Sequence, residues 1–322
     1  MNITVLDGYT TSTGILSWQS LEGLGSVTIY DRSPRETLKD RLATTDIAVS
    51  NKIVWNKDCF EKAPNLRMIA LLSTGYNVVD LEEANKRKIV VSNVPAYSTP
   101  DVAQHTFALL LEITNKVALH AQSVKEGEWC NCADFTYSLT PLIELDNKTL
   151  GIIGMGAIGQ AVARIARAFG MNVVFYNRSK KHDCEDEHIK QVSLDILFAQ
   201  ADIISLHCAA SEETNNIINN DSIKKMKDGT IILNTARGSL VNESDIATAL
   251  KNGKLSAFGA DVVNEEPMNV GNPLRSAPNA FVTPHIAWAT KEARQRLLDT
   301  VVQNIIAFQN GAPQNVVNNV IF

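Results

Sequence analysis

The chain has 322 residues, 45% of them hydrophobic and 20% charged, with a formal net charge of −5. That length suits two domains of ordinary size, and the mildly acidic balance argues against a nucleic-acid or anionic-membrane partner. No segment approaches the roughly 18 apolar residues of a membrane span, and the opening MNITVLDGY lacks the basic and apolar regions of a signal peptide.

Short apolar runs alternate with longer helical patterns almost from end to end, which predicts an α/β chain with parallel sheets and crossover helices. Strands are expected at 3–7, 27–30, 47–50, 68–71 and 89–91, forming one doubly wound unit. Thr99-Pro100 then carries start signals for a long helix from 101 to about 125, expected to cross between domains. A second series of strands is expected at 149–153, 172–176, 202–207, 230–234, 256–260 and 280–282. An amphipathic pattern from 290 to about 310 predicts a last helix that returns to the first unit. The expected division is therefore a discontinuous substrate domain, 1–98 with 290–322, and a dinucleotide-binding domain, 99–289, with a cleft between them.

Within the second series, LGIIGMGAIGQAVARIARAFG sets Gly154, Gly156 and Gly159 in G-x-G-x-x-G spacing between a strand-like run and an amphipathic run. The bare glycine pattern recurs by chance; its place between strand and helix is what points to a dinucleotide site. Gly154 permits the tight turn, Gly156 lets the backbone approach a pyrophosphate, and Gly159 lets helix and strand pack closely, while the helix N-terminus offers free N–H groups to the anion. The second unit is thus expected to be a Rossmann domain beside a flavodoxin-like first unit.

The acidic residue that accepts the adenosine ribose hydroxyls of NAD normally stands about 20 positions beyond such glycines. Here the strand ends instead in Asn177, followed by Arg178, Ser179, Lys180 and Lys181. This favours NADP, or use of both cofactors, over strict NAD dependence; solvated basic residues with Asn177 still bound to NAD is the alternative.

Five cysteines, Cys59, Cys130, Cys132, Cys184 and Cys208, form an odd, scattered set that fits a reducing cytoplasm better than a disulfide framework. Cys130 and Cys132 near Asp134 have no nearby histidine, so no metal is expected.

Three segments place polar groups just past apolar strands, where open parallel sheets hold ligands. IILNTARGSLV carries Arg237, GADVVNEEP carries Asp261, Glu265 and Glu266, and FVTPHIAW carries His285. Each alone reads as an ordinary surface or loop residue; together they match the needs of 2-oxo acid reduction. An arginine fork holds the substrate carboxylate and polarises the ketone. A histidine, with an ordinary pKa of about 6.5, gives the proton, and a carboxylate, for which Glu266 is the candidate, orients the imidazole and favours its protonated form.

Over nearly its full length the chain resembles the D-isomer-specific 2-hydroxyacid dehydrogenases. The resemblance rests on the glycine turn, NTARG at 234–238, the D-V-x-x-x-E-P segment at 261–267, TPHIAWAT at 283–290 and STGYNVVD at 73–80. It implies that Arg237 binds the substrate carboxylate, that Glu266 pairs with His285, and that His285 is the acid–base. It also implies that Asp261 meets the nicotinamide carboxamide, and that Ser73, Thr74 and Gly75 offer backbone amides to the carboxylate. Expected cofactor contacts are Gly154, Gly156, Ala157, Ile158, Gly159, Asn177, Arg178, Thr106, Thr235, Ala236 and Asp261. His207 is either a further cofactor contact or a packed strand-end histidine. Trp288 could wall a small substrate pocket.

Within the family, VSNVPAYST, VAQHTFALLLE, GEW and HIAWAT look most like the glycerate dehydrogenase and hydroxypyruvate (glyoxylate) reductase branch. Trp129, in the EGEWCNCADF segment, falls where relatives carry a dimer arm, so a homodimer is expected, with core packing the alternative. Two other readings stand beside this one. A corepressor-like NAD(H) sensor on the same scaffold is the first. A phosphoglycerate dehydrogenase-like enzyme is the second, and it lacks an arginine pair near Asn51-Lys52 to take a phosphate.

Overall fold

The computed structural model describes residues 1–14 and 16–320. The chain forms two compact units, Met1–Ser98 together with the chain from Ala289 onward, and Thr99–Trp288.

In the first unit, five parallel strands, β1 (Asn2–Val5), β2 (Ser26–Ile29), β3 (Ile47–Ser50), β4 (Met68–Leu71) and β5 (Val90–Ser92), lie in the order β2-β1-β3-β4-β5. Strands β3, β4 and β5 are buried along their whole length, which is why they read as unbroken apolar runs rather than alternating ones. One face of the sheet, Val91 included, packs with Leu42, Trp55 and Phe60, each essentially without solvent contact. The helix Lys291–Gln309 belongs to this unit, begins on a Thr290 cap that accepts from the Ala293 amide at 3.1 Å, and buries Ala293, Leu297, Val301, Ile305 and Phe308 at helical spacing.

The chain beyond that helix covers the outer edge of β5. Val317 N–H donates to Val91 O at 2.9 Å, Val91 N–H to Asn318 Oδ1 at 2.9 Å, and Ser92 Oγ to Gln314 O at 2.9 Å. Ser92 and Val316 form an antiparallel bridge.

The second unit carries seven parallel strands: β6 (Thr149–Ile153), β7 (Asn172–Tyr176), β8 (Ile189–Gln191), β9 (Ile203–Leu206), β10 (Thr230–Asn234), β11 (Leu255–Ala260) and β12 (Ala280–Val282). Their order is β12-β11-β10-β9-β6-β7-β8, so the direction of winding reverses between β6 and β9. Ligands of open α/β sheets bind at the carboxyl ends of the strands at such a reversal.

Two expected elements need correction. The single helix from 101 to about 125 is in fact two, Thr99–Asn115 and Val117–Lys125, separated by Lys116 in the left-handed conformation (φ 51°). The apolar spacing continues across the break, and neither glycine nor proline marks it. Strand β8 was not expected at all, because Ile-Lys-Gln at a half-exposed sheet edge carries no apolar run.

Candidate active site

The glycine turn joins β6 to the helix Ala157–Ala168, with Gly156 at its N-cap. Gly154 has φ 104°, and a β-carbon there would lie 2.6 Å from the Cys208 nitrogen and from the His207 carbonyl carbon, so only glycine fits. A β-carbon on Gly159 would lie 2.2 Å from Gly154 O, which makes that position the helix-to-turn contact. At Gly156 the same test meets no atom within 4 Å. The backbone there faces open space, and the helix N-terminus behind it presents amides to an anion. This is the arrangement a dinucleotide pyrophosphate needs. Ala157 and Ile158 form the first turn of that helix.

Around the turn, Met155 N–H donates to Asn177 Oδ1 at 3.2 Å, while Asn177 Nδ2 donates to Ser179 O at 3.0 Å. Asn177 therefore ties the end of β7 to the glycine turn. Arg178 is 84% exposed and lies 3.5 Å from Glu213, itself 70% exposed. His207, at the end of β9, bonds Ser205 Oγ through Nε2 at 2.7 Å, and its Nδ1 is enclosed without a hydrogen-bond partner among the described residues. Burial pushes its pKa down to about 3, so the ring is neutral and faces the strand.

Three adjacent strands bring the other predicted residues to one end of the sheet. Asn234 pairs in register with Ala260, and Ala260 with Val282. Thr235 to Arg237, Asp261, and Thr283 to His285 thus leave neighbouring strand ends at the same level. Gly238 presses this turn onto the next one, since a β-carbon there would lie 2.0 Å from the Val263 carbonyl carbon. Thr106 is 1% exposed; its hydroxyl donates to Val102 O at 2.8 Å and receives from Thr235 Oγ1 at 3.0 Å. Its hydroxyl is thus spent within the protein, on the helix and on Thr235. Arg237 is exposed, donates to Ala236 O at 2.6 Å, and has no carboxylate partner among the described residues.

His285 Nδ1 lies 2.7 Å from Glu266 Oε2, each side chain 32% exposed. With a carboxylate as acceptor, Nδ1 is the donor, and Nε2 makes no hydrogen bond among the described residues. The histidine has φ 55°, an uncommon conformation for a residue with a side chain, which costs of order 1–3 kcal/mol unless its surroundings enforce it. They do so on every side. His285 N–H donates to Thr283 O at 3.0 Å and Trp288 Nε1 donates to His285 O at 3.0 Å. The next two amides, Ile286 and Ala287, donate to Asp261 Oδ1 and Oδ2 at 2.8 and 2.7 Å. Asp261, 1% exposed, also accepts from Thr283 Oγ1 at 2.6 Å. Its oxygens are thus largely taken by the loop that bears His285, a use that sequence spacing alone did not suggest.

In the first unit, Ser73, Thr74 and Gly75 follow β4. Ser73 Oγ donates to Gly75 O at 2.6 Å, and Thr74 Oγ1 donates to Val94 O at 2.7 Å. Asn93 Nδ2 donates to Thr74 O at 2.7 Å. The side chains are spent on shaping the loop, whereas its three successive amides find no acceptor among the described residues.

Comparison with known proteins agrees with this geometry. Residues 107–287 match the D-isomer specific 2-hydroxyacid dehydrogenase, NAD binding domain. The chain is 47% identical to a hydroxypyruvate reductase from Blautia hydrogenotrophica over 99% of its own length and all of the relative's, and 39% identical to a glycerate dehydrogenase from Methylorubrum extorquens over 88% of each. Among solved structures, an NADPH-dependent glyoxylate/hydroxypyruvate reductase from Sinorhizobium meliloti superposes with a TM-score of 0.85 at 27% identity, covering 98% of this chain and 97% of that one. The chain belongs to the D-isomer-specific 2-hydroxyacid dehydrogenase family, in its glycerate dehydrogenase and hydroxypyruvate reductase branch. It is an oxidoreductase that acts on the CH–OH group with a nicotinamide coenzyme.

Proposed function

We propose that the protein reduces a small 2-oxo acid, hydroxypyruvate or glyoxylate, to the corresponding 2-hydroxy acid, with His285 as the proton donor. The observation that carries this reading is the 2.7 Å hydrogen bond from His285 Nδ1 to Glu266. It leaves Nε2 as the nitrogen that delivers a proton to the carbonyl oxygen. Arg237 supplies the planar cation for the substrate carboxylate, and the amides of Ser73, Thr74 and Gly75 are the first unit's own candidate donors to substrate. The indole of Trp288, held by the His285 carbonyl, limits the substrate to a short chain. Once bound, the nicotinamide supplies the hydride that reaches C2.

Gly154, Gly156 and Gly159 with the first turn formed by Ala157 and Ile158 would hold the coenzyme pyrophosphate, and Thr235, Ala236 and Asp261 would serve its nicotinamide half, Asp261 as acceptor for the carboxamide. The structure's test of a dinucleotide here is the open space above Gly156. NADP, or both coenzymes, fits the neutral Asn177 and the exposed Arg178. In this reading the unit of Met1–Ser98 with the chain from Ala289 onward serves the substrate and the unit Thr99–Trp288 serves the dinucleotide.

The assembly is a homodimer. Trp129, Phe135, Leu139 and Leu142 are exposed at 50%, 88%, 47% and 55% within a short segment, a concentration of large apolar side chains of the kind a partner surface covers. The compartment is the cytoplasm, in keeping with five cysteines that are all free. Mixing the protein with hydroxypyruvate and either NADH or NADPH, and following absorbance of the reduced nicotinamide, tests the activity directly. Absence of turnover with every small 2-oxo acid overturns it.

A further inference from the structure

Behind the His285 loop runs a chain of hydrogen bonds that the proposed chemistry meets only at Asp261. It begins at His105, on the helix Thr99–Asn115, whose side chain is 18% exposed. His105 Nε2 lies 2.9 Å from Thr283 Oγ1, and Thr283 Oγ1 lies 2.6 Å from Asp261 Oδ1. Chemistry sets the direction. The Asp261 carboxylate at 2.6 Å and the Ala260 carbonyl at 3.3 Å both only accept, so the single hydroxyl proton of Thr283 goes to them, chiefly to the nearer Asp261, and the bond to His105 is one in which the Thr283 oxygen accepts from an N–H on Nε2. Asp261 then gathers the amides of Ile286 and Ala287, the two residues directly after His285. The chain therefore ends on the backbone that holds His285 in its left-handed conformation. The buried Asp261 carboxylate has no lysine or arginine partner among the described residues, and the nearest group able to carry positive charge is His105, 3.6 Å from Oδ1.

We propose that His105 is a positioning residue for His285, acting through Thr283 and Asp261. Its donor points the Thr283 hydroxyl at Asp261, which fixes the carboxylate that grips the loop. The reach of the His285 ring toward Glu266 and substrate depends on that grip. The inference rests on the reading of His285 as the proton donor. An apolar side chain at position 105 would fill the same space and leave the Thr283 oxygen without its donor.

The test is steady-state reduction of hydroxypyruvate by the full-length wild type and by His105→Phe, His105→Gln, Thr283→Val and His285→Gln. His105→Phe is expected to lower kcat by roughly tenfold or more, the scale of a small displacement of a reacting group. Coenzyme affinity, read by fluorescence titration, stays within about twofold, since the glycine turn is untouched. His105→Gln keeps an N–H donor of similar reach and retains most of kcat. Thr283→Val matches His105→Phe, and the double variant is no worse than either single one, because both cut the same chain. Wild-type kcat in His105→Phe, equal losses in the Phe and Gln variants, or fully additive losses in the double variant each overturn the proposal. If His105→Phe does not fold, Thr283→Ser against Thr283→Val carries the same comparison, with only the valine losing rate. Failure of the underlying reading looks different: the wild type shows no turnover, or His285→Gln keeps it.

Discussion

The glycine turn and the His285 loop both sit at strand ends of one sheet, yet they are built in opposite ways. The turn at 154–159 works by leaving side chains out. Two of its glycines sit where a β-carbon would strike backbone, and the third faces empty space. The loop at 283–288 works by adding side chains, since a buried carboxylate, a hydroxyl and an indole together hold one histidine at φ 55°. A cradle for an anion needs only amides and room, whereas a proton donor needs its ring aimed. A single methyl group should therefore damage the first, and only loss of a polar partner should damage the second.

The sharpest test of that contrast is His285→Gln, expected to lower kcat by roughly 10²–10⁴, the contribution of a positioned acid, with coenzyme affinity preserved. Comparable turnover would remove His285 from the chemistry. Gly156→Ala is the counterpart. Its φ of −81° suits alanine and no protein atom stands within 4 Å, so melting temperature should not move. A methyl against a bound pyrophosphate should still weaken coenzyme binding by roughly 10- to 100-fold, taking about 1–3 kcal/mol as the penalty of an overpacked contact. A fall in thermal stability with unchanged affinity would refute the cradle.

Smaller effects probe what lies beside the turn. His207 is neutral in the fold, with a pKa near 3 against 6.5 for the exposed ring. Between those values the unfolded chain binds the extra proton, so stability is complete above pH 6.5 and falls as pH drops toward 3, by up to about 1.4 kcal/mol per pH unit. Urea unfolding of His207→Gln should show a shallower loss between pH 6.5 and 4.5 than the wild type, and identical slopes would deny the burial its role. Last, Arg178→Ala should weaken NADPH by several-fold more than NADH, about the worth of one solvated charge–phosphate contact; equal losses would remove Arg178 from coenzyme selection.

Much of this architecture is legible in the residues. The strands at 47–50, 68–71, 149–153, 172–176, 230–234 and 280–282 stand where apolar runs place them; those at 47–50, 68–71 and 230–234 are buried throughout, and parallel strands covered on both faces leave an unbroken signal. The Glu266 and His285 pair was legible because both follow strands in short, motif-bearing segments. What escaped notice has physical reasons. Lys116 breaks a helix whose apolar spacing continues unchanged, and β8 is a short polar edge. His105 and Thr283 are 178 residues apart, so nothing local links them. Asp261 was expected at the coenzyme, and its grip on the amides of Ile286 and Ala287 follows from the loop's conformation, which no residue pattern announces.

The strap that 314–318 lays along β5 has a consequence for the folding of the whole chain. It leaves the ribosome long after β5, its bonds to Val91 and Ser92 spanning 227 and 222 residues, and until it arrives β5 offers a bare row of donors and acceptors to any nascent neighbour. A chain shortened before Ala312 would keep that open border permanently, and its failure would be clumping rather than loss of chemistry.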